Sequence, residues 1–381
     1  MYPEAKTWSD CIPGRQRQPS PSNGHYLVGV LDGEGVGSEV VGAGLTVLQA
    51  LETISPYSFI IRRGGLIGTA AEQAHGAALT AEVENFCRHV FADGGALLHG
   101  AGGGRFVYDL RRRFDLFCKI VPVRTDPALR LTARLKPEYC DNVDLIIIRD
   151  NAGGIYQGQW SETTRADGTR VANHNFSYAE TDVRRILEAA AGIARRRRGR
   201  LTVIYKDAGI PTISELWRDC ALEITAAAGI ELQLLNVDYA AYCVIQHARD
   251  FDVIVAPNLF GDVLADLSAV LLGSRALAYS GNFAPGAAAA YQTNHGAAYD
   301  LAGKNVANPA GQILSVAMLL RESFGLSDAA DAIERAVHQV WRQGWRTADL
   351  MELGGRLVGT REMGELVADI VFALYRESNP A

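Results

Sequence analysis

Short apolar runs typical of buried strands alternate with longer stretches of helical periodicity from Tyr26 onward, and this rhythm leaves few folds open. The strand-like runs are 26–31, 96–98, 145–149, 201–205 and 253–256, and the helical stretches are 39–51, 181–194 and 214–228. In proteins with this order, helical crossovers connect parallel strands and cover the sheet. The sequence therefore predicts an α/β fold with a largely parallel sheet.

The composition is that of a protein with a sizeable core. Of 381 residues, 48% are hydrophobic and 21% charged, which suits two domains or one large α/β unit. The net charge of −6 gives no overall reason to expect nucleic acid or membrane partners. No apolar run approaches the roughly 20 residues of a transmembrane helix, and residues 1–4 lack the features of a signal peptide. We therefore expect a cytoplasmic protein.

The cysteines and the arginine run both favour structural roles. Six cysteines are scattered without a Cys-x-x-Cys pair, which argues against zinc knuckles and a disulfide framework. The basic run 195–200 invites a nucleic-acid interpretation. We favour a helix end instead, because basic residues there complement the helix dipole, Gly199 follows, and no aromatic residues are interleaved.

Two segments depart from the α/β rhythm. Residues 1–24 are polar and rich in proline and serine towards their end, so they cannot repay the entropy of ordering and are predicted to be a disordered tail. Residues 159–178 are instead predicted to form extended segments, 163–171 and 173–177, separated by a turn.

Asp262 and Asp266 give the first sign of chemistry. They lie four residues apart within 258–266, where a loop runs into a helix, so both carboxylates project from one helix face. Two such carboxylates repel each other unless a hard cation lies between them and a substrate. Two solvated helix acids explain the spacing equally well when this segment is taken alone.

Three further segments accompany the aspartates. Residues 294–309 are small and loop-like, residues 146–158 form a strand that ends on a charge and a glycine turn, and residues 29–39 contain a second glycine turn. In order and spacing, the four segments resemble the β-decarboxylating dehydrogenases, the family of isopropylmalate, isocitrate, homoisocitrate and tartrate dehydrogenases. The resemblance covers residues 26–375.

The resemblance implies an isopropylmalate dehydrogenase-like two-domain fold with a large mixed, mostly parallel sheet. Residues 25–116 and 273–381 would form the larger, cofactor-binding domain, and residues 117–272 the smaller domain with the metal and substrate site. Residues 159–178 would form a β arm that clasps a second subunit in a homodimer.

The implied reaction oxidises a 2-hydroxy acid and releases carbon dioxide from the neighbouring carbon. By resemblance, Asp262 and Asp266 bind Mg²⁺ or Mn²⁺ together with Asp238 of the partner subunit. The metal would act as a Lewis acid on the hydroxyl and the later carbonyl oxygen. Taken alone, Asp238 is explained as well by a helix cap.

Arg111, Lys119 and Arg149 are the predicted substrate-binding residues. Arg149 closes a buried strand, where an unpaired guanidinium is costly, so it must face an acid or a carboxylate ligand. Arg111 lies in the segment 109–117, where the family places one of its substrate arginines, so one of the three consecutive arginines there is expected to bind substrate and the others to face water. A second family arginine is replaced by Val121, and Lys119 on the same strand face could supply the charge, without the bidentate fork.

Tyr156 and Lys206 are the predicted catalytic residues. Tyr156 follows a Gly-Gly turn and is similar to the family's tyrosine that protonates the enol, although a buried structural tyrosine is an alternative. The family's lysine lies in a Lys-x-Asn motif, and counting back from Trp217 places Asp207 at its position. Either a one-residue bulge restores Lys206 to the site, which we favour, or the usual ammonium is missing.

The predicted cofactor residues are His295, Gly296, Asp300 and Asn308, which resemble those that hold the adenosine half of NAD. A carboxylate at Asp300 can accept hydrogen bonds from both ribose hydroxyls and repels a 2′-phosphate, so NAD is preferred over NADP. The glycine turn at 33–37 lacks the Rossmann fingerprint, but this family binds the dinucleotide largely through the later loop.

These features lead to one main hypothesis and two alternatives. The main hypothesis is an NAD- and metal-dependent oxidative decarboxylase of a malate-like 2-hydroxy acid. Asp109 stands where an isopropylmalate enzyme has an apolar pocket, which suggests a specialised paralogue. The altered lysine and arginine keep two alternatives open, namely different chemistry on the same scaffold and a non-catalytic regulatory subunit. The complete aspartate set speaks against the second.

Overall fold

The computed structural model describes residues 7–17 and 24–378, the last three without their side chains. The helices are α1 (Gly37–Ile54), α2 (Gly68–His75), α3 (Ala81–Ala92), α4 (Phe106–Arg113), α5 (Pro137–Cys140), α6 (Glu180–Arg196), α7 (Pro211–Ala228), α8 (Val237–Gln246), α9 (Asn258–Leu272), α10 (Ala310–Glu322), α11 (Ser327–Arg342) and α12 (Thr360–Ser378). The strands are β1 (His25–Leu31), β2 (Ser58–Arg63), β3 (Ala96–His99), β4 (Cys118–Arg124), β5 (Asp144–Asp150), β6 (Gln159–Thr164), β7 (Arg170–Asn175), β8 (Arg200–Tyr205), β9 (Glu231–Asn236), β10 (Val253–Ala256), β11 (Tyr279–Phe283), β12 (Ala289–Thr293), β13 (Trp345–Arg346) and β14 (Arg356–Leu357).

One mixed sheet of ten strands organises the molecule, in the order β2, β1, β3, β12, β11, β4, β5, β10, β8, β9. Neighbouring strands are parallel except at the centre, where β12 with β11, β11 with β4, and β4 with β5 are antiparallel. Strands such as β3 and β10 are buried along their whole length, as expected when helices cover both faces of a sheet. The predicted α/β fold with a mixed, mostly parallel sheet is confirmed.

The sheet has two halves that meet at the β11–β4 pair. Strands β1, β2, β3, β11 and β12 form the first half, and β4, β5, β8, β9 and β10 form the second half. The first half comes from residues 25–116 and 273–381 and the second from residues 117–272. The proposed division into two domains follows this junction.

Strands β6 and β7 form a separate antiparallel hairpin in the segment predicted to be the β arm, and this hairpin is called the arm below. The predicted extended stretch 163–171 is wrong, because the turn falls inside it, at 165–169. There Arg165 N–H donates to Thr169 O at 2.9 Å, and Gly168 has a φ of +84° that favours glycine. The hairpin register pairs Gln159 with Asn175.

The prediction of a disordered tail over 1–24 is wrong for residues 7–17. Ser9 and Ile12 are buried, and the backbone N–H of Ser9 donates to the carboxylate of Glu322 at 2.8 Å. Composition describes the segment alone, whereas the body of the protein supplies its apolar and charged partners. Residues 1–6 and 18–23 lie outside the described part of the chain.

The basic run serves the fold as predicted. Helix α6 ends at Arg196, Gly199 has a φ of +75°, and β8 begins at the next residue. Arg197 Nε donates to buried Asp252 Oδ1 at 2.7 Å, so this cation is used inside the protein. Separately, none of the helices in residues 7–17 and 24–378 is both long and apolar enough to cross a membrane.

Candidate active site

Two buried cations face each other at the centre of the sheet. Lys119 on β4 and Arg149 on β5 are directly opposite in the antiparallel pair, so their side chains share one face of the sheet. Lys119 is 4% exposed and the Arg149 side chain 2%. Like charges opposite each other destabilise a sheet, and burial increases this cost unless an anion compensates. The arrangement therefore favours an anionic ligand.

Asn258 and Asp262, both on α9, orient the guanidinium of Arg149. Asn258 Oδ1 accepts hydrogen bonds from Arg149 Nε at 3.0 Å and Nη2 at 2.8 Å, and Nη1 forms an ion pair with Asp262. A Cβ at Gly261 would lie 2.8 Å from Arg149 Cβ, so glycine permits this close approach. Asn258 is not among the residues predicted from the sequence, where its one signal is its place at the start of the aspartate segment.

Tyr156 lies beside the same carboxylate. It belongs to a short 3₁₀ helix, Ile155–Gln157, and its hydroxyl donates to Asp262 Oδ2 at 3.0 Å. The Arg149 guanidinium carbon is 5.4 Å from the centre of the tyrosine ring. Burial and the charge of Asp262 raise the pKa of Tyr156 to about 12, so its hydroxyl is protonated in neutral solution. The structure thus brings Tyr156, Arg149 and Asp262 together.

Arg111 completes a cluster of three buried cations, defined as Arg111, Lys119 and Arg149. Arg111 on α4 is 6% exposed, whereas the two arginines that follow it are exposed. Burial, together with the charge of Arg149, lowers the pKa of Arg111 to about 9. Burial, Arg111 and Arg149 lower the pKa of Lys119. Among the described residues, no acidic side chain forms an ion pair with Arg111 or Lys119.

The three candidate metal ligands do not meet within one chain. Asp262 binds Arg149, Asp266 Oδ2 lies 2.6 Å from Arg275 Nη2, and Asp238 Oδ1 lies 2.7 Å from Lys206 Nζ. The described residues contain no group of three His, Cys, Asp or Glu side chains that could hold a metal. Asp262 and Asp266 are partly exposed carboxylates one turn apart, a donor set that suits a hard divalent cation.

Lys206 and Asp207 occupy different surroundings. Strand β8 ends just before Lys206, whose N–H donates to Ser214 Oγ at 3.2 Å and whose ammonium donates to Asp238. This hydrogen bond from Lys206 lowers the pKa of Asp238. Asp207 is exposed and accepts a hydrogen bond from Ala208 N–H at 2.7 Å. Lys206 is therefore the residue placed against a candidate metal ligand.

The loop 294–309 is held by the glycine turn that follows β1. The N–H of Val36 donates to Ala297 O at 2.8 Å. Gly35 has a φ of +57°, and a Cβ on it would lie 1.9 Å from Ala297 O. This turn and this loop therefore touch at a position that admits no side chain.

Polar atoms without partners cluster at the start of the same loop. Thr293 Oγ1, both amide atoms of Asn294 and Nε2 of His295 are buried and have no hydrogen-bond partner within the described part of the chain. Burial lowers the pKa of His295, so the ring is neutral near pH 7. Buried polar atoms nearly always have partners, so this group fits a polar ligand such as a nucleotide.

The other predicted cofactor residues lie farther along the loop. Gly296 and Asp300 are exposed. Asn308 is buried, donates from Nδ2 to Asp349 Oδ2 at 3.1 Å, and accepts from Ala310 N–H at 3.0 Å. Asp300 is thus open to a ligand, whereas Asn308 ties the loop to the start of α10.

Arg105 is a further residue of the site that was not predicted from the sequence. Its guanidinium carbon lies 4.6 Å from the ring centre of Trp160 and 5.4 Å from that of Tyr108. Its Nη2 donates to Tyr156 O at 3.3 Å, and its Nε is 3.5 Å from Asp109 Oδ1. Arg105 links the arm to α4 beside Tyr156. No motif marks it, because two of these partners are distant in sequence.

Comparison with known proteins identifies the family. The family model described as isocitrate/isopropylmalate dehydrogenase matches residues 27–367. The chain is 37% identical over 362 residues to the 3-isopropylmalate dehydrogenase of Geobacillus kaustophilus (strain HTA426), a match covering 91% of this chain and 96% of that protein. It is 38% identical over 365 residues to that of Synechococcus sp. (strain JA-3-3Ab), covering 92% and 94%.

A solved structure supports the same family. The crystal structure of isocitrate dehydrogenase from Methylococcus capsulatus matches with a TM-score of 0.80 and 28% identity, covering 91% of this chain and 99% of that one. These findings confirm the predicted enzyme class, an NAD-dependent decarboxylating dehydrogenase that acts on a hydroxy acid. The chain belongs to the isocitrate/isopropylmalate dehydrogenase family.

Proposed function

We propose that this protein catalyses the NAD- and divalent-metal-dependent oxidative decarboxylation of a malate-like 2-hydroxy acid of the 3-substituted malate class. The observation that carries the proposal is the buried pair of Lys119 and Arg149, directly opposite on adjacent strands. Arg111 adds a third buried cation, and the Tyr156 ring lies beside Arg149 with its hydroxyl donating to Asp262. A small acid with two carboxylates supplies the negative charge that this cluster lacks.

The proposed roles follow from the chemistry of each side chain. Arg111 and Arg149 bind substrate carboxylates through their planar forks, and Lys119 acts as a point charge. Lys206 of the partner subunit, once its ammonium has released a proton to solvent, takes the proton of the substrate hydroxyl as a neutral amine. NAD, when bound, would accept the hydride. After carbon dioxide leaves, Tyr156 gives its proton to the carbon that carried it. The protonated state of Tyr156 supports this last role.

Asp262 and Asp266 are proposed to hold Mg²⁺ or Mn²⁺ together with Asp238 of the partner subunit. The bound cation supplies a Lewis acid for the substrate hydroxyl and the later carbonyl oxygen. Asp262 also pairs with Arg149 and accepts from Tyr156. This one carboxylate therefore positions a substrate-binding cation and the proton donor beside the proposed metal site.

NAD is proposed to bind along the loop 294–309. The unpartnered polar atoms of Asn294 and His295 support this assignment, with Gly296 leaving room for the nucleotide. The exposed carboxylate of Asp300 would accept from the ribose hydroxyls and repel a 2′-phosphate, so NAD is favoured over NADP. Asn308 would hold the loop in place.

A homodimer with shared active sites is part of the proposal. Tyr239 and Tyr242 on α8 are each 55% exposed and stack with ring centres 6.2 Å apart, and Val263 and Val270 on α9 are also exposed. Exposed apolar patches mark interaction surfaces. This patch lies on the helices that carry Asp238 and the two other aspartates, which supports pairing of two copies at this face.

A cytoplasmic location also belongs to the proposal. All six cysteines are free in the structure, and five of them are buried. Free thiols are typical of reducing compartments.

We further propose that the substituent on the substrate is polar and that the protein is a specialised paralogue. The Tyr108 ring lies 5.1 Å from that of Tyr156, and Arg105 and Asp109 form an ion pair beside it. An isopropyl group there would cover charged side chains without compensating them. The relatives named 3-isopropylmalate dehydrogenase would then differ from this protein in the substituent they accept.

A substrate panel tests the proposal. Purified protein with Mn²⁺ and NAD is offered malate, tartrate, isocitrate, homoisocitrate and other 3-substituted malates, while NADH and carbon dioxide are both measured. We expect both products in equal amounts from an acid with a polar substituent. NADH without carbon dioxide, or the reverse, would support different chemistry on the scaffold. Neither product, with NAD binding intact, would support a non-catalytic subunit.

The metal assignment has its own test. Asp262→Asn and Asp266→Asn should each weaken Mn²⁺ binding by calorimetry and abolish metal-dependent turnover, because each removes a carboxylate ligand. Asp219→Asn, which changes an exposed acid on α7, serves as the control and should bind Mn²⁺ normally. Unchanged Mn²⁺ affinity in both site variants would remove the assignment.

A further inference from the structure

The family match begins at residue 27, so residues 7–17, here named the N-terminal strap, lie outside it. This segment nevertheless packs against the body of the protein, with Ser9 and Ile12 buried. Its contacts reach both halves of the sheet, as the next three observations show.

Glu322 holds the start of the strap. This residue ends α10, which packs on β3, β11 and β12 of the first half, and it is 1% exposed. Its Oε2 accepts from Ser9 N–H at 2.8 Å and its Oε1 from Trp8 N–H at 3.3 Å, while Ser9 Oγ donates to Glu322 O at 3.1 Å. The strap thus supplies the hydrogen bonds that a buried carboxylate requires.

Arg15 fastens the end of the strap to the first half. Its Nη1 donates to Ala288 O at 2.7 Å and Gly286 O at 2.9 Å, in the turn between β11 and β12, and its guanidinium carbon is 5.3 Å from the Phe283 ring centre. Gly14, just before it, has a φ of +71°, and a Cβ there would lie 3.2 Å from Pro285 Cβ. The backbone therefore passes close to this turn.

Helix α6 holds the strap from the second half. This helix packs on β5, β8 and β10. Arg196 Nη1 donates to Thr7 O at 3.0 Å and lies 3.9 Å from Asp10 Oδ2. A Cβ on Gly192 would be 3.0 Å from Cys11 Cβ, so the strap lies directly on this helix.

We propose that the N-terminal strap is a positioning segment that fixes the two halves relative to each other and so sets the spacing of the buried cation cluster. Arg111 precedes β4 and belongs to the first half, whereas Lys119 and Arg149 lie on strands of the second. The halves meet within the sheet at the β11–β4 pair, and the twist between neighbouring strands is variable. A segment that binds both halves limits the variation in twist at this pair of strands. The strap makes no hydrogen bond to the three cations within the described residues, so it acts through the position of the halves.

Truncation tests the strap directly. A chain lacking residues 1–17 should show a larger radius of gyration by solution scattering than the full-length chain. Its kcat/KM for the hydroxy acid should fall about tenfold to a hundredfold, mainly through KM, because misplacement of binding groups by about 1 Å costs this much. Unchanged scattering and kinetics in the truncated, folded protein would overturn the proposal.

Because truncation exposes the buried Glu322 carboxylate and can prevent folding, a full-length double variant, Arg15→Met with Arg196→Met, provides a second test. Hydrogen exchange should show loss of protection in residues 7–17, together with the rise in KM. Arg195→Met is the matched control, an exposed arginine on the same helix without a hydrogen bond to the strap, and should match the wild type. Retained protection would refute the fastening role of the two arginines. Lost protection with unchanged KM would refute the positioning role.

The kinetic readout rests on the proposed function, whereas scattering and hydrogen exchange do not. If the wild-type chain turns over none of the acids, the proposed function fails. The strap is then judged by scattering and hydrogen exchange, where a radius of gyration that truncation does not raise would refute the proposal.

Discussion

Lys119 marks the clearest difference between this site and the family pattern. It is a lysine that supplies a positive charge which the family takes from an arginine at the position of Val121. A buried lysine among two arginines loses its proton more readily than a solvated one, and its pKa is lowered accordingly. The positive charge that a substrate carboxylate requires is therefore present at low pH and is lost as pH rises through this lowered pKa. An arginine in the same place stays charged over the whole range.

We expect the kcat/KM of the wild-type enzyme to fall with rising pH below the usual lysine range, since kcat/KM reports on groups of the free enzyme. Lys119→Arg should move this fall to higher pH. Lys136→Arg, at an exposed lysine, is the control and should leave the profile unchanged. A profile that is the same in all three proteins would exclude Lys119 from substrate binding.

Substitutions at the neighbouring residues Lys206 and Asp207 test which of them acts as the general base. Lys206 donates to Asp238, whereas Asp207 is exposed. Lys206→Ala should therefore lower kcat by about 10² to 10⁴, the range for loss of a general base, and Asp207→Ala should have little effect. Single-turnover rates of NADH formation measure both. A larger loss in Asp207→Ala would assign the base to that residue.

For single residues, the sequence shows which charged side chains need a hydrogen-bond or ion-pair partner, but it does not show which residue is that partner. The charge of Arg149 at the end of an apolar strand predicts an acid or an anion near it. That Asn258 and Asp262 fulfil this need depends on α9 crossing the end of β5, a contact between segments more than a hundred residues apart. Likewise, nothing in the local sequence around Asp266 points to Arg275, with which it pairs.

At the scale of elements, the turn after β1 controls the loop 294–309. Gly35→Ala should displace this loop, because the new Cβ meets Ala297 O and the left-handed backbone conformation is strained for alanine. The Kd for NADH, measured by fluorescence, should rise on the order of tenfold, which corresponds to about 1.4 kcal/mol.

Gly42→Ala is the matched control. It lies on α1, a Cβ there meets nothing within 4 Å, and alanine favours a helix. It should keep the wild-type Kd and an equal or higher melting temperature. Equal Kd values for both variants would show that the turn does not position the loop for the cofactor.

Elements with strong periodicity were predicted well. The strand expected at 145–149 is β5, and the helix expected at 181–194 is α6, each extended by one or two residues at its ends. The position of the arm turn and the ordering of the N-terminal strap were not predicted. The turn at 165–169 has a local signal that was overlooked, the pair Asp167-Gly168. The strap, in contrast, is ordered by contacts with α6 and α10 that local patterns do not contain.

For the whole molecule, the central claim is that each active site takes groups from two subunits. Within one chain, Asp238 pairs with Lys206, whereas Asp262 pairs with Arg149. Two inactive variants should therefore complement each other when their defects lie on opposite sides of the shared site. Variants with defects on the same side should not.

The most direct measurement is the activity of mixed dimers. Asp262→Asn and Asp238→Asn, each inactive alone, are unfolded together, refolded in equal amounts and assayed for NADH formation. Random pairing makes half of the dimers mixed, each with one intact site, so about a quarter of wild-type activity should return. A mixture of Asp238→Asn and Lys206→Ala should stay inactive. No recovery in the first mixture, with mixed dimers demonstrated by mass spectrometry, would contradict the shared site.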